Sequence, residues 1–238
     1  QFENKQYHVF RGDSVGATML KPGGWEPRVH VVITALTDEK SVFVDVGANI
    51  GYHSVRMLGK VEIVVAVEPH PLVREVLNLN VATNLSTTTR VAVLDCALGA
   101  TRFDSALPNM HPGHCNMGSI VLDDHGDIPV PVIPFDAHPL FTGIDRVTIV
   151  KIDCSGNELQ VVQGAQKCFE RWGQPFVVFA VEEGVNRYDP KELFRLFREM
   201  GYEIACVDSD YPSEHLAYPT EFDLGKVFEV APMGENRV

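Results

Sequence analysis

The sequence predicts an α/β fold, a doubly wound and mostly parallel sheet with helices on both faces. Three observations predict it. Short apolar, β-branched runs alternate with segments of helical period, the pattern of βαβ units. The run Val42-Phe43-Val44-Asp45-Val46 breaks into Gly47-Ala48-Asn49-Ile50-Gly51 and a helix start at Tyr52, a corner suited to a nucleoside ligand. Glu68 ends the next apolar run 21 residues after Gly47, where an acid can accept hydrogen bonds from both hydroxyls of a ribose.

The corner also speaks about charge. A dinucleotide loop usually reads G-x-G-x-x-G and cradles a pyrophosphate. Here the loop is G-A-N-I-G, and Asp45 lies two residues before the first glycine. An acid there repels a pyrophosphate but attracts an ammonium or a sulfonium. The pattern therefore favours a cationic nucleoside such as S-adenosylmethionine (SAM) over NAD, with an ordinary strand-to-helix turn as the plainer alternative.

Composition sets bounds. The 238 residues suffice for one large domain with a real core; 45% are hydrophobic and 22% charged. A net charge of −12 argues against a general nucleic-acid or anionic-membrane surface, and no Lys/Arg run stands out. No apolar stretch reaches membrane-spanning length, and no signal peptide is visible. Five scattered cysteines without a CxxC pair suggest reduced thiols and a cytoplasmic setting. Neither repeats nor a linker divides the chain, so one domain is expected over residues 1–238, with 1–36 as a lead-in cap.

Near the start of the chain, short β segments are expected at Tyr7–Phe10 and Ala17–Leu20. Trp25–Leu36 reads as a helix with Pro27 near its start, and Glu26 either reaches the glycine corner or favours the helix dipole. After the strand 42–46 and the helix from Tyr52 come a strand at 62–67 and a helix at 71–84 with Leu72, Val76, Leu79 and Val81 inward. A third strand, 90–94, ends at Asp95-Cys96-Ala97, where a side chain or backbone can meet the adenine amine. Residues 99–127 lose periodicity and read as a long loop lining the pocket. Its His111, His114 and Cys115 lack a second ligand pair, so no metal site is expected.

The extended run 130–135 carries prolines that confine it to a sheet edge or a crossing segment. Val147–Ile152 reads as a buried strand ending in Asp153-Cys154-Ser155-Gly156-Asn157-Glu158 before a helix over 159–169. This second acidic corner should face the first across the switch point of the sheet. Lys151 and Asp153, two apart, project to the same side. Phe176–Val181 is a further strand. An amphipathic helix, 191–200, is closed by Gly201, and strands at 202–208 and 225–231 are expected to pair antiparallel.

Taken together, these motifs resemble the FkbM family of SAM-dependent methyltransferases. The resemblance rests on Gly24-Trp25-Glu26-Pro27, Val44–Tyr52, Val67-Glu68-Pro69, Asn116-Met117-Gly118-Ser119, Lys151-Ile152-Asp153, Gly156, Glu158 and Gly164-Ala165, over roughly residues 20–185. It implies a Rossmann-like sheet of seven strands with the last antiparallel. It also implies SAM as cofactor and O-methylation of a small-molecule or glycan hydroxyl. The implied cofactor residues are Glu26, Asp45, Gly47, Ala48, Asn49, Gly51, Tyr52, Glu68, Pro69, Asp95, Cys96, Ala97, Ser119 and Asp153. Catalysis is expected from Asp153, which orients or deprotonates the acceptor, with Glu158 or Lys151 in support; His53, His111 and His114 are alternative bases. One departure stands out: the family's Lys-Ile-Asp-x-Glu-Gly-x-Glu has Ser155 at its first Glu. That motivates a competing reading as a SAM-binding or interaction module without turnover. An NAD-dependent oxidoreductase is disfavoured by the glycine loop.

Overall fold

The structure, a computed structural model, describes residues 4–19, 21, 24–109, 120–123, 125–181, 184, 186–208 and 212–225. Two helices, α1 (Ser14–Met19) and α2 (Pro27–Ala35), precede the first strand, β1 (Val42–Val46). There follow α3 (Tyr52–Met57), β2 (Ile63–Val67), α4 (Pro71–Thr83) and β3 (Arg90–Leu94). A small sheet is formed by β4 (Ala97–Leu98), β5 (Phe103–Leu107) and β6 (Ile128–Ile133). After α5 (Pro139–Thr142) the chain returns with β7 (Ile149–Ile152), α6 (Glu158–Gln163), α7 (Gln166–Arg171), β8 (Phe176–Ala180), α8 (Pro190–Glu199), β9 (Tyr202–Cys206) and β10 (Glu214–Pro219).

The main sheet has seven strands in the order β3-β2-β1-β7-β8-β10-β9. All pairs from β3 to β8 are parallel, and β10 runs antiparallel to both of its neighbours. The strand order reverses between β1 and β7, so their carboxyl ends open a crevice. Apolar side chains alternate between two cores, as a sheet covered on both faces requires. On one side Val44, Val65, Val150 and Phe179 pack with Val161, Phe169 and Phe197 of α6, α7 and α8. On the other, Phe43, Val64, Ile149 and Val178 pack with Val29, Val32, Ile33, Val55 and Leu77 of α2, α3 and α4. Among the described residues, no helix is long and apolar enough to cross a membrane. The described cysteines, Cys96, Cys154, Cys168 and Cys206, are free thiols.

Several local expectations are corrected. Residues 7–10 form no strand, and Ala17–Met19 are helical, within α1; Gly16 N–H donates to Asp13 Oδ2 at 2.9 Å at the start of that helix. In α4, Val81 is buried and Leu72 and Val76 pack half-buried against the core, as expected, but Leu79 is exposed, and Val73, Leu77 and Asn80 complete the buried stripe. The expected loop 99–127 contains β5. The proline-bearing strand β6 is the middle strand of the small sheet, not an edge. However, β4 pairs with Val132 and Ile133, so among the described residues the ladder has a neighbour on one side only at Pro129 and Pro131. A missing N–H there costs no ladder bond on the open side.

The single helix expected over 159–169 is two. Gly164 packs against the Gly99 carbonyl, where a Cβ would lie 2.0 Å from the oxygen. The Asp136 carboxylate then accepts from Lys167 N–H and Cys168 N–H at 3.1 and 2.7 Å, which starts α7 afresh. Finally, the antiparallel partner of β9 is Glu214–Pro219, inserted between β8 and β9. Of the strand expected at 225–231, residues 226–231 lie outside the described residues, as do His111, His114, Cys115 and Ser119.

Candidate functional site

The two corners at the ends of β1 and β7 meet. Gly47 has φ +78°, and a Cβ on it would lie 1.8 Å from the Asp153 carbonyl oxygen. Only glycine meets both demands. Asp153 N–H donates to Val46 O at 3.0 Å, which locks the second corner onto the first strand. Gly47 and Ala48 both donate to Val67 O at 3.0 Å, so the glycine loop is also tied to β2. Gly51, at φ +87°, turns the chain into α3 against Leu77.

A cavity opens over these corners. It is lined by Glu26, Asp45, Gly47, Ala48, Asn49, Tyr52, Glu68, Pro69, Cys96, Ala97 and Asp153 of the expected cofactor residues, and by Lys151 of the expected catalytic ones. Gly51, Asp95 and Glu158 are not on its wall; Asp95 is exposed at the end of β3. His53, His70, Cys154 and Ser155 also line it. His70 went unnoticed in the sequence. Its only signal is its place two residues beyond Glu68.

Charge is arranged in pairs. Asp45 is 1% exposed; Ser54 Oγ–H donates to its Oδ2 at 2.6 Å, and its Oδ1 has no hydrogen-bond partner among the described residues. Glu68 accepts from Asn49 N–H at 3.0 Å and from His70 N–H at 2.8 Å, one on each oxygen. Burial pushes its carboxyl up to about 7, against the pull of those two N–H groups. Lys151 is buried and donates to Asp153 Oδ2 at 2.8 Å, with Glu26 Oε2 at 3.8 Å. Burial alone would lower its pKa, but the carboxylates of Asp153, Glu26, Asp45 and Glu214 prevail and hold it well above the ordinary lysine value.

Glu26 sits in the left-handed region, φ 43°, before α2. Its side chain makes no capping bond to that helix but turns to His53 Nε2 at 2.9 Å. Burial first, then Lys151, brings His53 down to about 3. The imidazole is therefore neutral and donates Nε2–H to Glu26. So low a pKa disfavours His53 as the alternative base, because the group takes up a proton poorly near neutrality.

Glu158 is spent on structure. Its Oε1 accepts from Cys154 N–H and Gly156 N–H, both at 3.1 Å, and its Oε2 from Tyr188 O–H at 2.9 Å. It braces the second corner from behind. Ser155, at φ 46°, lies on the cavity side of that brace. Ser155, where the family pattern has a Glu, is thus part of the cavity wall. Among the described residues no cluster of three or more His, Cys, Asp or Glu could hold a metal.

The residues fit SAM. The unpartnered buried oxygen of Asp45 and the acids around it suit a cation, Glu68 suits a diol, and the glycine cradle admits a close ligand. They suit a pyrophosphate poorly.

Glu68 carries a prediction of its own. Its folded pKa near 7 lies above the ordinary 4.5, so the protonated form favours the fold. That contribution is full below 4.5 and is lost as pH rises through 7, a change of about 3 kcal/mol. In Glu68→Gln, thermal melts from pH 4.5 to 8 should lose this downward component. An unchanged difference between wild type and variant across that range would show that Glu68 does not titrate there.

A family model for the methyltransferase FkbM domain matches residues 45–204. A solved methyltransferase FkbM from Methylobacillus flagellatus KT superimposes with a TM-score of 0.54 at 19% identity, covering 76% of this chain and 44% of that one. The chain thus spans less than half the length of that protein, and at such identity the likeness is one of fold. A precorrin 8w decarboxylase from Methanobacterium thermoautotrophicum gives a TM-score of 0.49 at 13% identity, covering 89% of this chain and 98% of that one. The search of curated proteins returns no match. With the family model spanning both corners and most of the sheet, the chain belongs to the FkbM methyltransferase family.

Proposed function

We propose that this chain is a SAM-dependent methyltransferase acting on a hydroxyl of a small molecule or glycan. The observation that carries the reading is the meeting of the two corners. It sets the cationic-ligand wall of Asp45 and Glu68 beside the Lys151–Asp153 pair.

When bound, SAM supplies an electrophilic methyl on a sulfonium. The chain's own residues do the rest. Asp45 and the glycine loop would hold the donor, Glu68 would accept from its ribose hydroxyls, and Cys96 and Ala97 would border the base. Asp153 would orient the acceptor's hydroxyl and take up its proton on the carboxylate. Lys151 fixes the Asp153 carboxylate, and the neutral His53 fixes Glu26 beside it. Alignment at near-attack distance provides most of the rate, and the base adds about 10²–10⁴.

The experiment is a transfer assay with methyl-labelled SAM against a panel of sugars, polyols and hydroxylated small molecules. Label on an oxygen of any acceptor supports the reading. Ser155 favours a second reading, a module that binds SAM without turnover. Tight binding with no labelled product across the panel would select it.

A further inference from the structure

Asn80 lies where α4 should carry an apolar residue, and it is fully buried. Both N–H groups of its amide donate, and its oxygen accepts one bond. Nδ2 donates to Ile50 O at 2.7 Å, inside the glycine loop, and to His8 O at 3.0 Å. Oδ1 accepts from His8 N–H at 2.6 Å. One turn later Asn84 repeats the grip on Gln6, accepting its N–H at 2.9 Å and donating to its carbonyl at 2.6 Å.

The spacing explains the pair. Four residues of helix rise about 6 Å, and two residues of extended chain about 6.8 Å. Two asparagines at i and i+4 therefore match alternate residues of a strand, each amide imitating a backbone partner. Gln6–His8 is held as an antiparallel strap along α4. Tyr7 O–H adds a bond to Tyr52 O at 3.1 Å, at the start of α3.

Beyond the strap, the chain runs on to the cavity. Phe10 and Val15 pack with Ile50, Tyr52 and Val73. Val15, Trp25 and Glu26 line the cavity wall. One side chain thus ties the carbonyl of the glycine loop to the segment that leads into the cavity wall.

We infer that Asn80 is a positioning residue that couples the docking of the N-terminal strap to cofactor binding at the glycine loop. The inference rests on the proposed donor. Coupling is reciprocal: if the docked strap strengthens binding, the ligand must tighten the strap by the same factor.

The test is hydrogen–deuterium exchange on the whole chain, with and without S-adenosylhomocysteine, alongside calorimetric titration. In wild type the ligand should slow exchange across residues 4–19 about tenfold. Asn80→Asp keeps an acceptor but loses both donors, so its affinity should fall about tenfold and the protection of 4–19 should vanish. Asn84→Ala loosens only the Gln6 end, so its affinity should fall a few-fold, with partial protection kept. Binding to wild type without any change in exchange at 4–19 overturns the coupling. So does full protection in a folded Asn80→Asp. Should that variant fail to fold, wild type and Asn84→Ala decide: unchanged affinity and full protection in Asn84→Ala overturn the strap's part. No binding to wild type overturns the donor assignment, and the coupling falls with it.

Discussion

Gly47→Ala should abolish measurable S-adenosylhomocysteine binding and destabilise the fold by more than about 3 kcal/mol. Two costs add. An L-residue in the left-handed region costs about 1–2 kcal/mol. The larger cost is steric, because the new methyl would sit 1.8 Å from the Asp153 carbonyl oxygen and 2.8 Å from its carbon. That carbonyl is hindered from swinging aside, since it shares a peptide plane with Cys154 N–H, which donates to Glu158 Oε1 at 3.1 Å. The corners must part, and the wall between donor and acceptor parts with them. Gly173→Ala is the control: φ is +76° there too, but nothing lies within 4 Å of the added carbon. It should cost only the backbone strain and leave affinity unchanged. Chemical denaturation and calorimetry on both variants check this. Equal behaviour of the two would show that the approach of the corners is immaterial.

Asp153→Asn should lower the single-turnover rate of methyl transfer by about 10²–10⁴ while ligand affinity stays within a few-fold. Asn is nearly isosteric and can still meet Lys151 through its carbonyl oxygen, but it takes no proton. The bridge of 2.8 Å between Lys151 and Asp153 weakens, and Lys151 keeps Glu26 at 3.8 Å as a second carboxylate partner. The corner should therefore survive. A rate within a few-fold of wild type, with binding intact, would remove Asp153 from the chemistry and leave it as a wall residue.

The parallel strands were legible in the sequence because each is a short apolar, mostly β-branched run; those inside the sheet are buried on both faces, and β3 at its edge is half-buried. The antiparallel strand was not. Glu214-His215-Leu216-Ala217-Tyr218-Pro219 has a charged start and a proline end. Pairing with β8 and β9 makes it a strand, and propensity does not. Likewise Phe103-Asp104-Ser105-Ala106-Leu107 becomes a strand only against β6.

At the site, period-two spacing put Lys151 and Asp153 on one side, and their bond follows from it. The offset of Glu68 from Gly47 could be read in the same way. Glu26 was ambiguous, because a carboxylate before a helix looks like a cap, and only the packing of α2 beside α3 turns it to His53. Glu158 was ambiguous for the same reason and resolves the other way, into a brace. Asn80 left no sequence signal beyond a polar residue on an apolar stripe. Its partners lie 30 and 72 residues away along the chain.

The central claim is that the crevice between β1 and β7 holds a SAM-type donor. Calorimetric titration of the wild-type chain with S-adenosylhomocysteine tests it most directly. One saturable site is expected, with affinity lost in Gly47→Ala and no comparable heat from NAD. A flat titration with S-adenosylhomocysteine, or tighter binding of NAD, would contradict it.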